Sequence, residues 1–157
     1  MKIATLNSLV LALVLVLGAS HAAAAEDAPA TLEMRLVVEC APGAVPLPFD
    51  HQGLREKLCL AKELILDRSD IVDAQEIQSA YGEDVVRISI NAKAVSRLTD
   101  ATTTHVGERF AFVFDGKVVF APVVREPITG NELEISMGLG FSDLAAVVQA
   151  LRNDVSP

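Results

Sequence analysis

Beyond residue 25, two histidines, one run of carboxylates and two cysteines are the residues of this 157-residue chain whose types could do chemistry. His51 stands in a Pro- and Gly-rich stretch. His105 closes a helical pattern, where the helix dipole favours a positive group. Neither has a nucleophile or second base at motif spacing, so each reads as a surface residue. Asp67, Asp70, Asp73 and Glu76 recur at three-residue spacing, and on a helix they would share a face able to attract a cation. The segment lacks the central glycine and the ligand positions of a calcium loop, so a solvated acidic surface is expected instead. No G-x-S-x-G, H-E-x-x-H or phosphate-binding loop occurs, and Gly138-Leu139-Gly140 lacks the rest of a dinucleotide fingerprint. With six Phe, one Tyr and no Trp, stacking sites for sugars or bases are not expected either. The sequence therefore assigns no catalytic residue, no metal ligand and no cofactor.

Cys40 and Cys59 form an even pair in what reads as an exported chain, and a bridge between them would close a loop of about 20 residues, contributing about 3 kcal/mol in the chain-entropy model. The intervening APGAVPLPFDHQGLREKL holds three prolines and two glycines, a flexible excursion tied at both ends. A redox pair would need the C-x-x-C spacing that lowers a thiol pKa, and metal binding needs more ligands. Export is read from the start of the chain. Lys2 supplies a positive n-region, Leu9 to Leu17 an unbroken apolar run, and SHAAAAE the small residues of a cleavage site after Ala22 or Ala25. The apolar run is shorter than the roughly 20 residues a spanning helix needs. Residues 1–25 are expected to be a signal peptide, 26–31 a short lead-in, and 32–157 one domain with no transmembrane segment. Residues 26–157 hold 12 basic and 21 acidic residues, a formal charge of −9, which excludes nucleic acid and anionic lipid as natural partners.

The elements that must position these residues follow from periodicity. LEMRLVVEC (Leu32 to Cys40) alternates apolar and polar residues as a strand, and Ala41 to Gly53 reads as a loop. LREKLCLAKELILDRSDI fits both helix and strand; the cysteines favour a short strand around Cys59, because bridged Cα atoms must lie close. Ser69 to Ala80 leads through Tyr81-Gly82-Glu83-Asp84 into the strand VVRISI. Asn91 caps AKAVSRLTDATTTHV, a helix stopped at Gly107. RFAFVFD and KVVFAPVV form a hairpin around Asp115-Gly116, the strongest short-range hairpin signal. LEISMG is a last strand, and Ser142 caps a final amphipathic helix bearing Leu144, Val147, Val148 and Leu151. The fold class is α+β, two-layer, with a mainly antiparallel sheet, two helices packed on it and one disulfide.

The run LTDATTTHVGERFAFVFDGKVVFAPVVREPITGNELEIS followed by GFSDLAAVVQALR resembles the head region of the first periplasmic domain of SecD, an accessory subunit of the bacterial protein-export machinery. The residues that carry the resemblance are Val106-Gly107, Asp115-Gly116, Ala121-Pro122, Pro127-Ile128 with Gly130, and Ile135-Ser136. LILDRSDIVDAQ resembles the segment after the first head strand. Departures are Asn131, where a second glycine is usual, and ISMGLGFS before the last helix. SecD carries its head between membrane helices that couple export to the proton gradient, and no second apolar segment of that length follows here. The resemblance thus implies the head fold without the motor, in the periplasm, with a polypeptide or envelope protein as partner. An exposed sheet edge near the hairpin is expected to accept an extended chain; a small-ligand or envelope-stress module on the same fold is the alternative.

Overall fold

The computed structural model describes residues 30–51, 53–136 and 144–152. The strands and helices run β1 (Leu32–Val38), β2 (Val45–His51), β3 (Leu54–Leu60), a 3-10 turn (Arg68–Asp70), β4 (Ile71–Gln78), β5 (Asp84–Ile90), α1 (Ala92–Thr104), β6 (Phe110–Phe114), β7 (Lys117–Phe120), β8 (Glu132–Ile135) and α2 (Leu144–Arg152). All pairings are antiparallel, in a five-stranded sheet ordered β2-β3-β1-β6-β7 and a three-stranded sheet ordered β4-β5-β8. The α+β architecture with two helices and one disulfide is thus what the chain adopts, with its strands divided between two sheets. The signal-peptide segment, the Gly138–Gly140 stretch and the expected cap at Ser142 lie outside the described residues.

The apolar run FAFVF explains how the two sheets share a core. All five residues of β6 are buried, since both faces of that strand are covered. Phe110, Phe112 and Phe114 face a large core with Met34 of β1, Val86 and Ile88 of β5, Leu133 and Ile135 of β8, Leu98 of α1, and Val147, Val148 and Leu151 of α2. Ala111 and Val113 point the other way, into a smaller core with Phe49, Leu58, Leu60 and Val118. That second core exists because the five-stranded sheet curls until β2 lies against β7. Fully burying one such aliphatic or aromatic side chain contributes roughly 1.5–3 kcal/mol.

Two sequence expectations are corrected. The segment from Ala41 to Gly53 is not all loop, because β2 occupies Val45–His51. Its alternation of Val45, Leu47 and Phe49 is that of a strand, and its prolines are tolerated because they fall on the outward side, as shown below. The acidic row, expected as solvated surface, is not all solvated, because Asp70 is buried and paired with Arg97. Asp67 and Asp70 belong to the 3-10 turn, while Asp73 and Glu76 belong to β4, a strand the sequence reading did not assign.

Cys40 and Cys59 are bridged with a Cα–Cα distance of 5.2 Å, within the usual range. Cys59 sits opposite Val38, so the bond ties the end of β1 to β3 at the base of the β2–β3 arm. The strand at Cys59 is therefore present, and longer than the short one expected.

Candidate functional site

The residues that carry the family resemblance have internal work. Asp115 and Gly116 take φ of 46° and 75°, the left-handed pair a two-residue hairpin turn requires. Asp115 does more than turn. Its Oδ1 accepts from the Thr31 N–H at 2.8 Å and its own N–H donates to the Thr31 carbonyl at 3.1 Å, fastening the hairpin to the start of β1. Gly107, with φ 89°, donates its N–H to the Val124 carbonyl at 2.7 Å, and the Pro122 carbonyl accepts from Phe110 N–H at 3.0 Å. The Ala121 carbonyl accepts from Arg109 Nε at 3.2 Å. Pro127 leads into Ile128, whose N–H donates to Thr102 Oγ1 at 2.9 Å and whose carbonyl accepts from Thr99 Oγ1 at 2.8 Å. Gly130 has no positive φ, and a Cβ there would meet only Glu132 N at 4.0 Å, so its backbone does not demand glycine. Together these contacts dock segment 121–130 along α1.

Helical spacing puts Thr102 on the inward stripe of α1 with Ala94 and Leu98, but sequence reasoning missed its hydrogen-bonding role, and it missed Arg109. Thr102 is fully buried and passes its own proton to the Leu98 carbonyl at 2.7 Å. Arg109 pairs with Glu56 at 2.9 Å and lies 5.7 Å above the Phe49 ring, binding the β2–β3 arm to β6. A polar residue within TTT and an arginine at a strand entrance carry no signal that would have marked these contacts.

The titratable residues do not converge. Asp67 caps the 3-10 turn, and its hydrogen bonds from Ser69 hold its carboxyl below the ordinary value near 3.8. Asp70 is buried and ion-paired with Arg97, which also donates to the Ile65 carbonyl at 2.7 Å. Asp73 accepts from Gln75 at 2.7 Å, which lowers its pKa, with Arg152 at 3.3 Å assisting. His105 Nδ1 lies 3.2 Å from Glu108 at the end of α1, and residue 51 ends β2 on another part of the chain. Among the described residues no three His, Cys, Asp or Glu side chains are grouped to hold a metal ion.

What the structure does offer is backbone. Antiparallel strands bond to a neighbour only at alternate residues, so the bonded partner on one side determines which groups point outward. Ala61 N–H donates to the Leu36 carbonyl, so Cys59 and Ala61 face β1, and Leu58 and Leu60 face β2. The β2 residues bonded to β3 are then Val45, Leu47 and Phe49, and the outward row is Pro46, Pro48 and Asp50. Two of those three positions have no N–H to offer. The β2 edge is blocked, and the edge expected near the hairpin, β7, is only four residues long and has β2 beside it without pairing to it.

The three-stranded sheet differs. Ser79 N–H donates to the Glu83 carbonyl at 2.8 Å, so Asp73, Gln75 and Ile77 bond to β5 while Ala74, Glu76 and Gln78 point outward. β4 is eight residues long, lies at the edge of its sheet and contains neither proline nor lysine; its guards are a register irregularity between Ile71 and Asp73 and the charges of Asp73 and Glu76. Of that outward row Ala74 is fully buried, so the exposed part of the edge is Glu76 and Gln78. The opposite edge, β8, has four residues and presents only Glu132 and Glu134 outward, whose side chains flank Arg87. Beside β4 lies α2. Between them a crevice of about 420 Å³ is lined by Glu76 and by Ala145, Val148, Gln149 and Arg152. A second depression, of about 440 Å³ around Pro42, Gly43 and Lys62, is formed mainly by loop and adjoins none of these open edges. An open strand edge next to a helix, with a side-chain crevice between, is the site the fold presents.

Comparison with known proteins bears on what such a domain belongs to. Residues 46–150 match the family described as SecDF, P1 head subdomain. The protein translocase subunit SecDF of Thermus thermophilus is 29% identical over 142 residues, covering 82% of this chain and 19% of that protein. The SecD subunit of Acetobacter pasteurianus is 33% identical over 113 residues, covering 69% of this chain and 22% of that one. The chain thus spans about a fifth of the length of these relatives. Among solved structures, one of a membrane component SecDF that enhances protein export superposes with a TM-score of 0.62 at 21% identity, covering 79% of this chain and 62% of the other. SecDF in its super-membrane-facing form gives 0.61 at 23% identity, covering 79% and 19%. At those identities the structures speak for the fold. No helix among the described residues is long and apolar enough to cross a membrane. By the extent of its match, two thirds of its length, the chain belongs to the SecDF P1 head family.

Proposed function

We propose that this chain is a non-enzymatic polypeptide-binding domain of the bacterial envelope, accessory to protein export, which accepts an extended segment as an added strand along β4. Residues 1–25 act as its signal peptide, cleaved near Ala22 or Ala25, residues 26–31 as a lead-in, and residues 32–157 as the exported domain. The observation that carries this reading is the exposed outward pair Glu76 and Gln78 on an edge strand free of proline. Strand addition draws affinity from main-chain bonds, so it tolerates many sequences, as a domain handling exported chains requires. Two residues exchanging both N–H and C=O with a guest make about four hydrogen bonds, each worth about 0.5–1.5 kcal/mol net before the guest's ordering entropy is subtracted. Family membership supports the same reading, since the relatives are named protein translocase subunits.

The test is site-specific photo-crosslinking in cells exporting a slowly folding substrate. A photoreactive residue at Gln75 or Gln78 is expected to capture polypeptide, and one at Lys117 on β7 is not. Capture from Lys117 alone would place the binding surface elsewhere and refute the assignment to β4.

A further inference from the structure

The crevice beside β4 has a chemistry of its own. Glu76 points its main chain outward and shares a face with buried Ala74, so its carboxylate stands over the crevice rather than on the far side of the sheet. It is exposed and has no ion-pair partner among the described residues. The one guanidinium nearby, on Arg152, is engaged by Asp73 at 3.3 Å. Ala145 and Val148 provide apolar surface next to this free carboxylate. A side chain from an added strand that enters here is flanked by apolar surface on α2 and by a negative charge on β4. A long aliphatic stem with a cationic head can use both.

A second copy of the chain does not. A two-fold antiparallel pairing centred on residue 76 would set Glu76 against the partner's Glu76, and like charges directly opposite are destabilising. The formal charge of −9 beyond residue 25 also favours a cationic guest over a self-pairing one.

We propose that the β4–α2 crevice selects a lysine or arginine of the added strand through Glu76. This rests on the strand-addition reading and specifies its guest. The experiment uses blocked peptides of about nine residues, alternating valine and threonine around a central lysine, a central glutamate, or the lysine peptide N-methylated on alternate amides. Binding is read by fluorescence anisotropy at low and high salt. The lysine peptide is expected to bind about fivefold tighter than the glutamate peptide at low salt, with the gap narrowing at high salt. Glu76→Gln is expected to abolish the preference, Glu76→Lys to reverse it, and methylation to abolish binding. Equal binding of the lysine and glutamate peptides, with methylation still disruptive, would overturn the charge selection and leave strand addition standing. Binding of no peptide would overturn both. A dimer that sediments at micromolar concentration and is lost in Glu76→Pro would make the guest a second copy and overturn the proposal.

Discussion

Replacing Glu76 by proline separates the main chain of β4 from everything else the strand does. Residue 76 points its N–H away from β5, so proline there removes a donor only from the open edge and leaves the internal ladder whole. The loss on guest binding has two parts. One hydrogen bond disappears, at about 0.5–1.5 kcal/mol, and the guest carbonyl it served is left unsatisfied, at about 1–3 kcal/mol. The sum, about 1.5–4.5 kcal/mol, corresponds to a rise in Kd of roughly 10-fold to 1000-fold. Glu76→Gln is the reference variant, since it removes the same charge and keeps the donor. The assay is anisotropy titration of an extended peptide, with far-ultraviolet circular dichroism and Tm confirming that each variant folds. Gln75→Pro supplies the contrast, because Gln75 donates inward and its loss should lower Tm sharply. Equal Kd for Glu76→Pro and Glu76→Gln, both folded, would refute the use of the β4 edge.

Three further outcomes follow from contacts described above. Reduction of Cys40–Cys59 by dithiothreitol should cost about 3 kcal/mol, or a Tm lower by roughly 10 °C, with amides of the β2–β3 arm exchanging fastest; an unchanged transition would remove the bond from the stability account. Thr102→Val keeps shape but strands the Ile128 N–H, so urea denaturation should report a loss of about 1–3 kcal/mol and faster exchange in segment 121–130. Asp67 and Asp73 have folded pKa values depressed below about 3.8, so their contribution is present above that value and lost as pH falls through the depressed values. A Tm titration between pH 5 and 2 should therefore fall less steeply in Asp67→Asn with Asp73→Asn than in the parent protein, and parallel curves would contradict the assignment.

Local patterns in the sequence were legible wherever one force acted alone. The Asp115-Gly116 turn, the Asn91 cap and the pairing of two cysteines each follow from chemistry within a few residues or from a count. β2 was hidden because Pro46 and Pro48 look like breakers until their hydrogen-bonding parity is known. That parity depends on how β3 meets β1, a contact between distant parts of the chain. β4 was hidden for a related reason. A register irregularity between Ile71 and Asp73 breaks the period-two alternation, and the polar Asp73, Gln75, Glu76 and Gln78 leave little apolar signal. The candidate site was therefore out of reach of sequence reasoning. Which residues of the β4 edge point outward is decided by Ser79 bonding to Glu83, a contact outside any local pattern. The motif residues, though easiest to recognise, proved to be the ones that hold segment 121–130 in place.

Amide hydrogen exchange along β4, measured residue by residue with and without an extended peptide, tests the central claim most directly. The outward N–H groups of Glu76 and Gln78 should gain protection on binding. Those of Asp73, Gln75 and Ile77, already bonded to β5, should change little, giving a two-residue alternation. Saturating peptide with no alternating gain on β4, or with the gain on β2 or β7, would contradict the account.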